Sequence, residues 1–342
     1  MNARRLLQRI VFFCATAAVF LFGGAGRVWA LEWIYVTPNP AYSRDLSMGA
    51  STIALSYAPQ SQSINPAGLQ LFDSRTSFHG TMLVNAGGIY QIANAHGTDS
   101  SRSNTDRIFD DARVLVCAGA AQIRIAALAV YFSQPVMRSG DVARYDNYRQ
   151  RLPLDMHQNS LALSLALHPQ VSVGGRFDRY YEYDTPQGDG YSYGVILRPR
   201  GLNVGVQYQR FPAAGAFVWH PLDRRGDETT TAGVAIERET YSVSFQVMNL
   251  TKSDAIAFLE PHAGVEWRPL RALTLRAGGM QFSRSPRWAW TGGCGLIDAN
   301  WLRNKASRLS VPDDILQVSV GMIYVRGVPE QAVGSLTCVW RF

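Results

Sequence analysis

The 342-residue chain contains few charged residues, few cysteines and few lysines. Charged residues make up 17% of the sequence, against about 25% in an average soluble domain. Of the 33 basic residues, 31 are Arg, and four of these lie in the first thirty residues. The remainder holds 29 basic and 26 acidic residues, so its net charge is only +3 and gives little reason to expect a nucleic-acid partner.

Long hydrophobic runs are also missing. Beyond residue 30, no apolar stretch reaches the roughly 20 residues that a membrane-spanning helix needs. The chain is nevertheless 47% hydrophobic and 11% aromatic, with a mean hydropathy of −0.07. This content excludes a disordered chain, because there is ample apolar surface to bury. Apolar residues spread thinly along a chain are typical of soluble all-β proteins and of transmembrane β-barrels.

Residues 1–30 have the three parts of a secretory signal peptide. Three arginines form a positive start, and the apolar stretch Ile10–Phe22 follows with 13 residues. Val28-Trp29-Ala30 then supplies small residues at positions −3 and −1 of a cleavage site. We therefore expect residues 1–30 to be removed on secretion.

The cysteines and histidines show no pattern of a metal site. Cys117, Cys294 and Cys338 are far apart in the predicted mature chain, and the six His residues have no short-range pairing. No spacing indicates a nucleophile next to its base. The sequence therefore predicts no metal, no cofactor and no enzymatic activity.

From about residue 75 onward, large apolar residues alternate with small or polar ones. Segment 161–167 has Leu at every second position, and segments 202–208, 241–247 and 316–324 repeat the pattern with other large residues. A period of two is the mark of strands with two unlike faces. The alternating segments run for about ten residues each, close to the 9–11 that cross a bilayer at a tilt.

The breaks between these segments fall into two groups of different length. Tight turns at one end and long loops at the other are typical of bacterial outer-membrane barrels. Aromatic residues near strand ends, such as Trp288 and Trp290, suit a membrane interface. The predicted tight turns lie near 168–170, 198–201, 237–240 and 268–271, and the longer polar stretches near 97–112, 133–155, 184–190 and 212–228.

The chain ends inside a predicted strand, with Trp340 and Phe342 on its apolar face. A terminal Phe on such a face resembles the C-terminal signal by which outer-membrane barrels are recognised for insertion. A secreted β-sandwich also alternates, but its strands are usually nearer 5–6 residues and it need not end on an aromatic residue. The sequence therefore favours an all-β, transmembrane antiparallel β-barrel over residues 75–342.

Fifteen segments alternate, and bacterial single-chain barrels have even strand numbers. We take the two segments near 75–84 and 88–96 as one long or kinked strand, because Gly87 and Gly88 allow a bend. The expected number of strands is then fourteen, with sixteen as the alternative.

Residues 31–74 do not alternate, and we expect them to fold back into the lumen as an N-terminal hatch. The segment Ser47–Tyr57 predicts a short helix that Pro59 ends. Asn65-Pro66-Ala67-Gly68-Leu69 follows, with turn-forming residues beside small ones. The alternative is a frayed periplasmic extension, but the apolar residues near Leu69 favour burial.

The motifs of this segment resemble the N-terminal signature of FadL-type outer-membrane transporters, of PorV/PorQ-type proteins and of uncharacterised FadL-like relatives. They cover about 40–72, and the strand pattern continues to the end of the chain. The resemblance implies a fourteen-stranded barrel with a hatch inside and a route for long-chain fatty acids or other hydrophobic molecules. It places along the hatch and ligand path the residues Met48, Gly49, Asn65, Pro66, Ala67 and Gly68, with Arg44 and Ser47 beside them.

Three functions remain open on the sequence. The first is passive uptake of hydrophobic compounds, the second a PorV-like scaffold for secretion or surface assembly, and the third a general diffusion porin. The expected partners are outer-membrane lipid, a hydrophobic small molecule, the barrel-insertion machinery and, for the second function, a secretion partner protein. For a carboxylate ligand or an anionic head group, the candidate contacts are Arg138, Arg144, Arg149 and Arg151.

Overall fold

In a computed structural model of the chain, fourteen antiparallel strands close into a barrel in which each strand pairs with its neighbours in sequence. Strand β1 pairs with β14 through partners from Thr81↔Arg341 to Asn85↔Thr337, which closes the cylinder. The expectation of fourteen strands is therefore confirmed for the described part of the chain. The structure describes residues 43–55, 65–69, 78–85, 116–123, 125–133, 156–182, 185–199, 201–210, 228–238, 240–248, 250–251, 259–270, 273–281, 288–297, 316–325 and 333–341.

The strand bounds follow the alternating segments to within a few residues, and the second half of the expected long or kinked first strand, 88–96, lies outside the described residues. Two boundaries were predicted wrongly. A break expected between residues 120 and 121 falls instead at the turn near Ile125, because the run Ala118–Ala121 offers no contrast between its two faces. The strands are β1 Phe78–Asn85, β2 Val116–Ile123, β3 Ala126–Ser133, β4 Met156–His168, β5 Val171–Glu182, β6 Thr185–Leu197, β7 Leu202–Arg210, β8 Glu228–Glu237, β9 Tyr241–Met248, β10 Glu260–Leu270, β11 Leu273–Gln281, β12 Trp288–Ile297, β13 Leu316–Val325 and β14 Val333–Arg341.

The second wrong boundary concerns 184–190, which was expected to be a polar loop. Most of it belongs to β6, which pairs with β5 as far as Glu182↔Thr185. The reason is local cross-strand pairing, since the guanidinium of Arg179 donates to the carboxylate of Asp189 at 2.8 Å between the two strands. This hairpin is therefore longer than its polarity indicated.

The two faces of the strands differ as the alternation predicted. Large apolar side chains point outward and keep between 38% and 65% of their surface exposed. The residues between them point into the lumen and are buried, and most are polar or small. Exposed aromatic residues lie near both rims, with Trp288 and Trp290 at one and Tyr241 and Trp267 at the other.

Short and long connections leave opposite ends of the barrel, which we call the short-turn end and the long-loop end. The four predicted tight turns all lie at the short-turn end. At Gly201 the turn after β6 needs a positive φ of 85°, which glycine adopts without strain. Two connections depart from the pattern: residues 298–315 join β12 to β13 at the short-turn end, and only residues 183–184 separate β5 from β6 at the long-loop end.

Two segments before β1 lie inside the lumen, and we call them together the hatch: residues 43–55 and 65–69. Helix α1, Ser43–Ser47, and the 3-10 helix Pro66–Leu69 are their regular parts. The helix predicted over Ser47–Tyr57 is wrong in position, because Gly49 and Ala50 take positive φ values of 62° and 55° that end α1. No helix within the described ranges is long and apolar enough to cross a membrane.

Candidate functional site

The hatch touches the barrel wall almost backbone to backbone. Eight lumen-facing glycines lie against it, each so close that an added Cβ would come within 3.0 Å of a hatch atom. Only glycine leaves room for such an approach. We call this set the glycine girdle: Gly174, Gly194, Gly205, Gly233, Gly264, Gly278, Gly293 and Gly321.

Polar side chains of the wall complete the hydrogen bonds of the first hatch segment. The Thr291 hydroxyl accepts from the Gly49 N–H at 2.9 Å and donates to the Ser47 carbonyl at 2.9 Å. The Oε1 atom of Gln246 accepts from the Ile53 N–H at 3.0 Å. Because buried main-chain groups need partners, these side chains make the wall specific for this non-helical path.

His262 of β10 has a similar role on the same segment. Its Nδ1 atom lies 2.7 Å from the Gly49 carbonyl oxygen. A carbonyl only accepts, so Nδ1 carries the proton, and in the neutral ring Nε2 is then an acceptor. Nε2 lies 3.8 Å from the Glu260 carboxylate, and both side chains are buried.

Asn65 joins the two hatch segments to each other. Its Nδ2 donates to the Ile53 carbonyl at 2.9 Å, and its Oδ1 accepts from the Ala67 N–H at 3.0 Å. The Ala67 carbonyl in turn accepts from the Ser172 hydroxyl at 2.9 Å. The motif residues Asn65, Pro66, Ala67 and Gly68 are thus all buried inside the barrel.

On the short-turn side of the hatch lies a buried charged cluster centred on Glu266 of β10. Its carboxylate accepts from Arg44 of α1 at 2.9 and 3.2 Å, from Arg276 at 2.7 Å and from Arg268 at 3.0 Å. Glu237 lies close by and accepts from Asn203 at 2.7 Å. A buried carboxylate is stable only when it is paired in this way, so the cluster ties α1 to the wall.

Arg198 lies just beyond β6 beside this cluster. Its Nη1 donates to the Ser172 hydroxyl at 3.4 Å. Burial lowers the pKa of Arg198 to about 10, opposed by the nearby negative charge of Glu237. The side chain therefore remains protonated at neutral pH and adds positive charge to the short-turn side of the hatch.

On the long-loop side, the lumen wall has two unlike halves. Strands β1–β4 contribute an apolar cluster of mostly small residues with Leu69 of the hatch. Strands β7–β10 contribute mostly amides, hydroxyls and the His262–Glu260 pair. The apolar cluster consists of Leu69, Leu83, Ala118, Ala127, Ala129, Tyr131 and Ala162.

The structure brings together some of the residues that the sequence proposed. Met48 and Gly49 lie in the lumen against the girdle, as do the residues of the Asn65 motif. The backbone of Trp340 pairs with Leu316 and Met82 in adjoining strands, while Phe342 lies outside the described residues. The four candidate anion contacts also lie outside them: Arg138, Arg144, Arg149 and Arg151.

Sequence reasoning missed the girdle and the Glu266 cluster. Signals for both were present, because glycines recur on the lumen face of eight strands and charged residues such as Glu266 and Arg276 stand mid-strand. A charge inside a barrel needs a partner, and a glycine within a strand often marks a close backbone approach. Among the described residues, no group of three or more His, Cys, Asp or Glu side chains is arranged to hold a metal ion.

The fold is similar to solved structures of membrane channels. Against the CymD monoaromatic hydrocarbon channel, the identity is 12% over 91% of this chain and 98% of that chain, with a TM-score of 0.46. Against the Pseudomonas putida toluene transporter TodX, it is 11% over 92% and 98%, with a TM-score of 0.45. A mutant porin of Rh. blastica matches at 10% identity over 66% and 78%, with a TM-score of 0.35.

No family model and no curated protein matches the sequence. CymD and TodX are FadL-family outer-membrane transporters, the family that the hatch motifs resemble. Identities near 11% and TM-scores below 0.5 describe a likeness of architecture. The function of this chain therefore has to be judged from its own residues.

Proposed function

We propose that the chain is an outer-membrane β-barrel for the passive uptake of hydrophobic compounds, long-chain fatty acids among them. The observation that supports it best is the hatch, which occupies the lumen and is bonded to the wall of the barrel by its own backbone. A hatch held by hydrogen bonds and one buried charged cluster can shift without unfolding the strands around it. Ligand entry would then be coupled to that shift.

The outward surface supports a membrane location. Large apolar side chains cover the outside of strands from β3 to β12, for example Leu163 at 48% exposure and Phe245 at 47%. Soluble monomers rarely expose apolar patches beyond a few hundred Å². A continuous apolar band with aromatic residues near both rims is the surface that lipid acyl chains contact.

The free energy of an apolar ligand falls when it leaves water for such a lumen. Burial contributes about 25 cal/mol for each Å² of apolar surface removed from water. The apolar cluster on β1–β4 is the part of the described lumen that suits such a surface. No reaction is required, and the proposed role is transport without catalysis.

An open diffusion porin is disfavoured by the same geometry. A general porin needs a water-filled passage with a constriction lined by polar or charged side chains. In the described part of the chain, the hatch contacts strands on opposite sides of the lumen, from Gly174 of β5 to Gly321 of β13. A PorV-like scaffold would have the same closed lumen, so an uptake measurement has to decide between those two roles.

The experiment measures entry of radiolabelled oleate and of a labelled hydrocarbon such as dodecane into Gram-negative cells that lack their own hydrophobic transporter. Cells producing the full chain are expected to take up at least one probe faster than cells with the empty vector. Purified protein in planar bilayers is expected to stay mostly closed. Uptake no faster than vector, together with stable co-purification of one large partner, would favour the scaffold, and large steady conductance steps would favour a porin.

A further inference from the structure

Three glutamine side chains on the long-loop side of the hatch have donors without acceptors. Gln207 and Gln209 of β7 and Gln246 of β9 face the lumen and are 4%, 3% and 0% exposed. The Nε2 atom of each finds no hydrogen-bond acceptor in the ranges that the structure describes. Since a buried donor without an acceptor is costly, such groups in a folded protein indicate a site where something else supplies the acceptor.

The register places Gln207 and Gln209 next to each other on the lumen face of β7, with Gln246 two strands away on β9. Gln207 is opposite Thr231 and Gln246 is opposite Gly233, so the amides flank β8 from both sides. The orientation of Gln246 is fixed, because its Oε1 already accepts from the Ile53 N–H. Rotating that amide would place two donors against each other, so its Nε2 has to face away from the hatch. We call Gln207, Gln209 and Gln246 the amide wall.

The opposite side of the lumen carries an apolar cluster. The cluster around Leu83, Ala127 and Ala162 lies on β1–β4. In a closed barrel of fourteen strands, β1–β3 stand half a circumference away from β8–β10. A molecule that touches both sides therefore needs an apolar body and, at one end, a group that accepts hydrogen bonds.

The charges beside the amide wall decide which acceptor fits. Arg210, next to Gln209, is exposed and donates to the Tyr191 hydroxyl, while the lumen-facing Arg176 has its Nε 2.8 Å from the carboxylate of Asp178. Glu260 on β10 is also buried, and its carboxyl group lies 3.8 Å from Nε2 of His262. On the described lumen face of β5–β10 above the hatch, Arg176 is paired with Asp178, so this subsite favours a neutral oxygen over a carboxylate that would be buried without its own partner.

We propose that the amide wall is a binding subsite for the neutral oxygen of an otherwise hydrophobic molecule, such as a ketone, an ester or an ether. The proposal rests on the proposed uptake function and adds one class of ligand to it. Gln207 and Gln209, which are adjacent on the lumen face of β7, donate hydrogen bonds to the oxygen, Gln246 borders the subsite across β8, and the carbon skeleton lies towards the apolar cluster. These side chains have almost no accessible surface in the closed state, so ligand entry has to be coupled to the shift of the hatch.

The test compares octane, 2-octanone and octanoate as ligands of the full chain in one detergent by isothermal titration calorimetry. The test variant is the double substitution Gln207→Leu with Gln209→Leu, since neither residue bonds the hatch in the described structure. The control is Gln122→Leu, which removes a lumen-facing glutamine of β2 that is 6% exposed and far from the wall. Micelle partitioning cancels when each Kd is compared between variants in the same micelles.

We expect wild-type protein to bind 2-octanone about tenfold more tightly than octane, and octanoate no more tightly than 2-octanone. In the double variant, the preference for 2-octanone over octane should fall to about twofold or less, while octane binds as well as before or better. Gln122→Leu should keep the tenfold preference. A preference that survives in the double variant would overturn the proposal, as would octanoate binding more tightly than 2-octanone to the wild type.

Uptake assays separate failure of this subsite from failure of the proposed function. Cells producing the double variant should still take up labelled octane at the wild-type rate and should lose the advantage for labelled 2-octanone. Octane uptake by the wild type with no preference for 2-octanone would overturn the subsite alone. Absence of uptake of both probes by the wild type would overturn the proposed function together with the subsite.

Discussion

The carboxylate of Glu266 is the strongest single link between the hatch and the barrel. It is fully buried and accepts hydrogen bonds from three arginines, of which Arg44 is the one that belongs to the hatch. The substitution Glu266→Gln keeps the size of the side chain and removes its negative charge. Two barrel arginines and Arg44 would then share a buried site without their common anion.

The expected magnitude follows from these contacts. Removing one partner of a buried ion pair typically costs about 3–5 kcal/mol, so the melting temperature of the barrel should fall. Of the hydrogen bonds to Glu266, only the two from Arg44 hold the hatch, and bonds to charged groups contribute roughly 1.5–3 kcal/mol each. The amide oxygen of the variant can still accept one of the two, so the loss of about one such bond should raise the fraction of open hatch roughly 10- to 100-fold.

Single-channel recording in planar bilayers measures the open fraction. Wild-type protein should be mostly closed, and Glu266→Gln should open frequently. The matched control is Asp189→Asn, which breaks an ion pair whose side chains are 48% and 47% exposed and which does not touch the hatch. Exposed pairs contribute little, so this control should behave like the wild type.

A double-mutant cycle checks that the effect passes through Arg44. The combination of Arg44→Ala with Glu266→Ala should lower stability and hatch closure by less than the sum of the two single changes. In Arg44→Ala the Glu266 carboxylate has already lost one of its arginine partners, so removing that carboxylate as well costs less. A Glu266→Gln protein with unchanged melting temperature and unchanged closure would refute the reasoning. Additive effects in the cycle would refute the assignment of the link to Arg44.

Three further predictions concern the hatch and the outer surface. Gly174→Ala places a Cβ 2.5 Å from the hatch backbone and should open the lumen, while Gly175→Ala, with its nearest contact at 3.8 Å, should remain closed in the same recordings. Asn65→Asp retains the acceptor but loses the donor that joins the two hatch segments, so it should increase opening, and closed traces would contradict this. Leu163→Arg should lower the free energy of unfolding in urea by about 2–4 kcal/mol. Leu167→Arg lies near the rim and should lower it by about 1 kcal/mol or less. Equal effects of the two substitutions would contradict a lipid-facing apolar band.

Much of the barrel could be predicted because alternation is a local property. Each strand has its own two faces, and β4 and β12 begin and end where the alternating segments do. The four tight turns were marked by Pro, Gly and charged residues at the ends of those segments. The presence of a hatch was visible because residues 31–74 break the alternation while remaining apolar.

What could not be predicted depends on contacts across the lumen. The sequence prediction placed the helix too far along the chain, because Met48, Ile53 and Leu55 indicated a helical face. In the structure these side chains pack with Ala235 on a non-helical path. The pairing of Arg44 with Glu266 spans 222 positions, and no local pattern joins them. In the sequence, the girdle glycines resemble ordinary small residues of a polar strand face. Only the structure shows the hatch lying against them.

The central claim is that the hatch is bound to the wall and has to shift before a ligand can pass. The hydroxyl oxygens of Ser51 in the hatch and Ser244 in β9 lie 2.7 Å apart, so Ser51→Cys together with Ser244→Cys places two thiols next to each other. Oxidation should form the disulfide and reduce uptake of labelled hydrocarbon to the level of cells without the protein, and a reductant should restore it. Failure of the two cysteines to cross-link, or full uptake with the disulfide formed, would contradict the account.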